Sequence, residues 1–156
     1  MAYRLTDQAK RYFRSLLESG DNKLDMMEVY YYCCVVGLLK KDRSSNNNGE
    51  IFLQTIYSKF SANNSYRYHE LLLLLLNSEI KHVGINPSNR TELKKLCSEL
   101  FISNDDLKLT ELGMKRLNDY CESGFQELYR RGIHTVSAFD FLYDWHQIIK
   151  NLEYQY

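Results

Sequence analysis

Proline is nearly missing from this chain: one residue in 156, alongside only seven glycines. With so few forced backbone breaks, long helices joined by short polar loops are predicted. An excess of either charge is missing as well. Lys plus Arg and Asp plus Glu each number 20, so no global basic field exists to hold nucleic acid or an anionic membrane. Residues 1–50 carry eight bases against seven acids, 51–104 six against four, and 105–156 six against nine. Only the last third leans acidic. No Cys-X-X-Cys pair occurs among Cys33, Cys34, Cys97 and Cys121, and adjacent cysteines rarely bridge each other without strain. Met1–Arg14 is polar and does not read as a signal peptide. Reduced, buried thiols in a cytoplasmic protein are expected. The longest mainly apolar run, Val29–Leu39, ends in Lys40-Lys41 and falls short of the roughly 18–20 residues that a membrane span needs. No membrane association is expected. No glycine-rich phosphate loop is present, which argues against a nucleotide bound through such a motif.

Hydrophobic residues at 44% and charged residues at 26% suit a globular chain. The length fits one domain spanning 1–156, able to bury roughly 70% of the surface its unfolded form exposes. Thirteen tyrosines are unusual. They bring apolar area with a polar handle, which suits half-buried surfaces and partner contacts.

A first helix is predicted over Asp7–Glu18, capped by Thr6, with Ala9, Phe13, Leu16 and Leu17 on one face and Gly20 as its stop. Asp25 and Glu28 form a capping-box pattern before Val29–Leu39. VYYYCCVV also has strand propensity, but a central helix buried on nearly all sides is the preferred reading. The polar loop 42–49 separates two helical sub-blocks. Glu50–Phe60 resumes a helical pattern through Phe52, Ile56 and Phe60. Asn63, Asn64 and Ser65 offer caps for a helix containing Leu71–Leu76, which has to be surrounded. Asn86-Pro87 is read as the N-cap and first position of a helix with Leu93, Leu96, Cys97 and Leu100 on one face. After a polar turn over 103–106, Thr110 and Glu111 open a helix that Ser123-Gly124 could kink or split and Gly132 closes. Ser137 caps the last helix, whose stripe is Ala138, Phe141, Leu142, Trp145, Ile148, Ile149 and Leu152. The fold class that follows is all-α, a single compact multi-helix domain of about seven helices.

Catalytic and metal chemistry find little footing. His69, His82, His134 and His146 are scattered, and none pairs with a cysteine at zinc-ligand spacing. Cys33 and Cys34 lie in the most apolar run, where core packing hides them from the open, electropositive setting of a nucleophile. Asp140 and Asp144 sit one turn apart, a spacing that usually marks a solvated face, and His146 points to a different side. Neither an enzyme nor a cofactor or metal is therefore expected.

Two surfaces remain. On the last helix Phe139 and Tyr143 lie off the apolar stripe and Tyr154 extends past it, a second aromatic face of the type enriched at protein interfaces. Separately, Glu70–Ile80, a turn through Gly84 and Asn86, and Ser88–Leu100 read as helix-turn-helix. The second helix opens with Ser88, Asn89, Arg90 and Thr91, followed by Lys94 and Lys95, types that suit phosphate and base-edge contacts. FISNDDLKLTELG then reads as a hairpin near 101–110, and its LTELG resembles the strand-to-helix junction of winged-helix proteins. That resemblance covers about 45 residues and implies a DNA-binding module. Against it stand the balanced charge and an acidic tip at Asp105-Asp106.

The expected function is a non-catalytic accessory or adaptor subunit of a cytoplasmic complex, a homo-oligomer or bound to a larger protein partner. The alternative is a helix-turn-helix or winged-helix DNA-binding protein of the kind used in bacterial DNA processing or defence.

Overall fold

The computed structural model describes residues 3–18, 23–43, 53–56, 65–103 and 107–153. The chain is mostly helical, with seven helices and two short antiparallel strand pairs among the described residues. Strand β1 (Tyr3–Thr6) leads into α1 (Asp7–Tyr12) and α2 (Arg14–Glu18), then α3 (Met26–Lys40) and β2 (Leu53–Ile56). Next come α4 (Ser65–Val83), α5 (Arg90–Leu100), the hairpin β3 (Phe101–Ser103) and β4 (Leu107–Leu109), α6 (Glu111–Arg131) and α7 (Ala138–Glu153).

α3 is the axis of the fold. The Asp25 side chain accepts from the Glu28 amide while the Glu28 carboxylate accepts from the Asp25 amide, so the capping box forms. Lys41, at a left-handed φ of 57°, ends the helix. Eleven of its fifteen residues are buried, so it is covered on nearly all sides.

α4 and α6 flank α3, and both run parallel to it. Along α4, Glu28 meets Arg67, Tyr31 meets Glu70 and Leu38 meets Ser78. Along α6, Tyr30 meets Asn118, Gly37 faces Tyr120 and Gly124, and Lys40 meets Glu127. The α3–α6 contact is backbone against backbone. A Cβ on Gly37 would overlap the Tyr120 carbonyl, and one on Gly124 would overlap that of Cys33. Ser123-Gly124 does not split α6, which continues from Glu111 to Arg131. Its glycine is the point of closest approach.

Two expectations fail in the N-terminal half. Residues 53–56 form a strand, not a helix, pairing antiparallel with β1 in the register Tyr3 to Ile56 through Thr6 to Leu53. Phe52, Ile56 and Phe60 fit a helical period, but LQTI alternates equally well, and the free edge of β1 decides between them. The predicted first helix is capped by Thr6 as expected but jogs at Phe13, where φ is −92° and ψ 10°. Phe13 is fully buried there, edge-on to Phe125 and Phe141. Gly20, Phe52, Phe60, Asn63, Asn64 and most of the polar loop 42–49 lie outside the described residues.

Caps elsewhere follow the sequence with one change. Thr110 accepts from the Gly113 amide, and Ser137 accepts from Asp140 at 3.4 Å. The cap of α5 is Asn89, which accepts from the Glu92 amide, rather than Asn86. Asn86 instead accepts from the Ser88 and Asn89 amides and shapes the preceding turn.

Candidate functional site

The aromatic face begins with how α7 is seated. Phe141, Ile148, Ile149 and Leu152 are buried, and the Trp145 indole N–H donates to the Tyr32 carbonyl at 3.0 Å. Trp145 is only half-buried, and Leu142, expected on the inner stripe, sits at its exposed edge. The opposite side of the first turns is open to water: Phe139 is 79% exposed, Tyr143 60%, and the preceding Val136 78%. Tyr154, the third expected contact, lies outside the described residues.

That face is held firmly. Gly132, at φ 63°, ends α6, and the Ile133 carbonyl accepts from the Tyr12 hydroxyl at 3.0 Å. Asp144 accepts from both the backbone N–H of His134 (3.0 Å) and its ring Nδ1 (2.6 Å). These bonds draw the Asp144 carboxyl below its usual range and raise His134. The partner of Asp144 is thus a histidine ten residues earlier in the chain, a pairing that helical spacing alone does not reveal.

A second surface was not expected from the sequence. α4, α5 and the β3–β4 hairpin enclose a half-open groove of about 760 Å³. α4 supplies Leu72, Leu73 and Leu76, and α5 supplies Leu93 and Cys97. Phe101 and Leu107 close the hairpin end. The leucine run had been expected to be surrounded, yet Leu73 is 69% exposed. Lys94 and His69 also line the groove, and none of its described lining residues is acidic.

The helix-turn-helix candidates fall on the outside of the same region. Helix, turn, helix and hairpin follow in the expected order, with Phe101 opposite Leu109 and Ser103 opposite Leu107. Ser88, Asn89, Arg90, Thr91, Lys94 and Lys95 are all exposed. Two of them are partly committed locally: Asn89 caps α5, and Lys94 borders the groove. Exposed Glu92 and Glu99 intersperse the bases. Asp105 and Asp106 lie outside the described residues.

The buried charges have structural work. Because α3, α4 and α6 run parallel, the negative ends of their dipoles gather at one end of the fold. Lys40, Lys81, His82, Arg130 and Arg131 occupy their last turns. Two buried carboxylates gather basic side chains, and Glu127 takes three of these. Glu79 accepts from the Tyr120 hydroxyl at 2.8 Å and pairs with Arg43 at 3.3 Å and Arg116 at 3.7 Å. Glu127 pairs with Arg131 at 2.6 Å, Arg130 at 2.7 Å and Lys40 at 3.2 Å. Burial alone would raise Glu127, but these donors outweigh it and hold the carboxyl at about 2. Lys41 is lowered to about 8, by burial and then by the neighbouring Lys81 ammonium. The sequence signal for Glu127 was its i+3 and i+4 arginines; Glu79 had none.

Cys33, Cys34 and Cys121 are buried as free thiols, and burial followed by its two thiol neighbours pushes Cys121 up. Cys97 is half-buried in the groove wall. Among the described residues every buried side-chain nitrogen and oxygen has a hydrogen-bond partner. No group of three or more His, Cys, Asp or Glu among those residues could hold a metal ion. None of their helices is long and apolar enough to cross a membrane.

No protein-family model, curated protein or solved structure matches this chain.

Proposed function

We propose that this protein is a non-catalytic accessory subunit that acts by holding other protein chains, with the outer face of α7 as its principal contact. The observation that carries this reading is the pair Phe139 and Tyr143. They stand one helical turn apart in water while the other side of the same helix is built into the core. Exposed aromatics on a fixed helix are favourable contact residues, because they bury large area at little cost in side-chain freedom. The hydrogen bonds of Asp144 and Tyr12 give that face one geometry before any partner arrives.

The test compares affinity-tagged wild-type protein with the double variant Phe139→Ser, Tyr143→Ser in native cells. Proteins recovered at fixed stoichiometry with the wild type should be lost with the variant, whose circular dichroism should be unchanged. An unaltered set of partners would refute the role given to this face.

The order α4, turn, α5, hairpin favours a second reading, duplex DNA bound through Arg90, Lys94 and Lys95. The interspersed glutamates argue for weak binding by the isolated chain at physiological salt. Anisotropy titrations over a salt series decide it. If this reading is right, replacing the three bases by Ala weakens binding and flattens its salt dependence.

A further inference from the structure

We infer that the two apolar surfaces are made for each other: the aromatic face of α7 on one copy seats in the α4–α5–hairpin groove of a second copy. The inference rests on the reading of α7 as a contact face and adds what covers it.

Shape is the first argument. Phe139 and Tyr143 are four residues apart and so project side by side as two knobs. The groove walls are two helices, with Leu72, Leu73 and Leu76 on one and Leu93 and Cys97 on the other. A trough between two helices is the surface into which a third helix lays an apolar stripe. Its volume of about 760 Å³ lies inside the roughly 300–1,000 Å³ that holds a drug-sized group, with room for two aromatic side chains.

Charge is the second. Between residues 135 and 149 there is no Lys or Arg, and Asp140 stands beside Phe139 while Asp144 is already paired with His134. Among the described lining residues Lys94 is the cation and none is an acid. Asp140 on one copy and Lys94 on the other bring opposite signs together when the two faces join.

Burial is the third. Each surface leaves a large apolar side chain mostly in water, Leu73 on one and Phe139 on the other, and one contact covers both. The size of that contact limits its strength. Two aromatics bury about 300–500 Å² on their own side, and a matching area of groove doubles this. The total stays below the roughly 1,200–2,000 Å² of a stable complex. Association is therefore weak and concentration-dependent. The joined surfaces differ, so the contact is heterologous, and copies add head to tail.

Complementation between two variants tests this directly, by sedimentation velocity or light scattering on the full chain. One variant, Phe139→Ser with Tyr143→Ser, loses the knobs and keeps the groove. The other, Leu73→Asp, spoils the groove at an exposed position and keeps the knobs. Wild-type mass should rise with concentration beyond that of a dimer. Each variant alone should stay monomeric with unchanged helicity, and an equimolar mixture should form one-to-one dimers and nothing larger. A wild type monomeric at every concentration overturns the inference, as does a Leu73→Asp variant that associates like the parent. A mixture that stays monomeric while the wild type associates overturns it too. If the inference fails in any of these ways but the aromatic variant still loses its cellular partners, the accessory-subunit reading stands and the groove has another occupant.

Discussion

Replacing Gly124 with alanine sets helix propensity against packing, and the two predict opposite signs. In a helix interior alanine is favoured over glycine by about 1 kcal/mol. Here the added Cβ would overlap the Cys33 carbonyl oxygen and lie 2.7 Å from the Gly37 amide nitrogen, where ordinary contact begins at 3.4 Å. Every obstacle is backbone, so no rotamer can yield, and α3 must move away from α6. That movement loosens Tyr30, Cys34, Leu117 and Phe125, all fully buried. Overpacking costs about 1–3 kcal/mol and occasionally more, and a backbone obstacle belongs at the upper end. After subtracting the propensity gain, the net loss is about 2 kcal/mol. For a chain of this size each kcal/mol moves Tm by roughly 2–4 °C, so calorimetry should record a fall of roughly 4–8 °C. Gly37→Ala should behave alike, because its Cβ meets the Tyr120 carbonyl. The double variant should lose less than the sum of the two, since one separation of the helices relieves both clashes. A Gly124→Ala protein that melts at or above the parent temperature would show that propensity wins and refute the close approach.

Glu127 sets an acid limit. Its carboxyl is held at about 2 against an ordinary 4.5, so its contribution is present above pH 4.5 and lost as pH falls toward 2. The loss is about 3 kcal/mol at about 1.4 kcal/mol per pKa unit, and denaturant titrations should find it missing from Glu127→Gln. The thiols should divide by position. A thiol reagent on native protein should modify Cys97 first and leave Cys33, Cys34 and Cys121 until unfolding, while rapid reaction at either member of the Cys33-Cys34 pair would reopen a nucleophilic role.

What the sequence made legible is local. The caps at Thr6, Asp25, Thr110 and Ser137 are hydrogen bonds closed within three residues, so residue type and spacing suffice to find them. The apolar run of α3 and the hairpin after α5 were legible for the same reason. The misses are relations between distant segments. β2 is a strand because β1, some fifty residues earlier, offers it an edge. Leu73 and Leu142 are exposed although each falls in an apolar pattern, and periodicity alone does not record which apolar positions neighbours cover. The candidate surfaces divide in the same way. Phe139 and Tyr143 were found as aromatics off a stripe, whereas the groove exists only once α4, α5 and the hairpin have met.

The parallel arrangement of α3 and α6 also bears on how the chain is made. Parallel neighbours cannot be joined by a tight turn, and here the connection takes the seventy residues from 41 to 110. Closing a loop of that length costs about 4 kcal/mol of chain entropy before the contact returns anything. During synthesis at about 5–20 residues per second, α6 is finished on the order of 5–20 s after α3. Throughout that interval the most apolar helix of the protein lacks the neighbour against which its backbone fits. A Gly37 or Gly124 variant, which weakens that fit, is expected to prolong the exposure of α3.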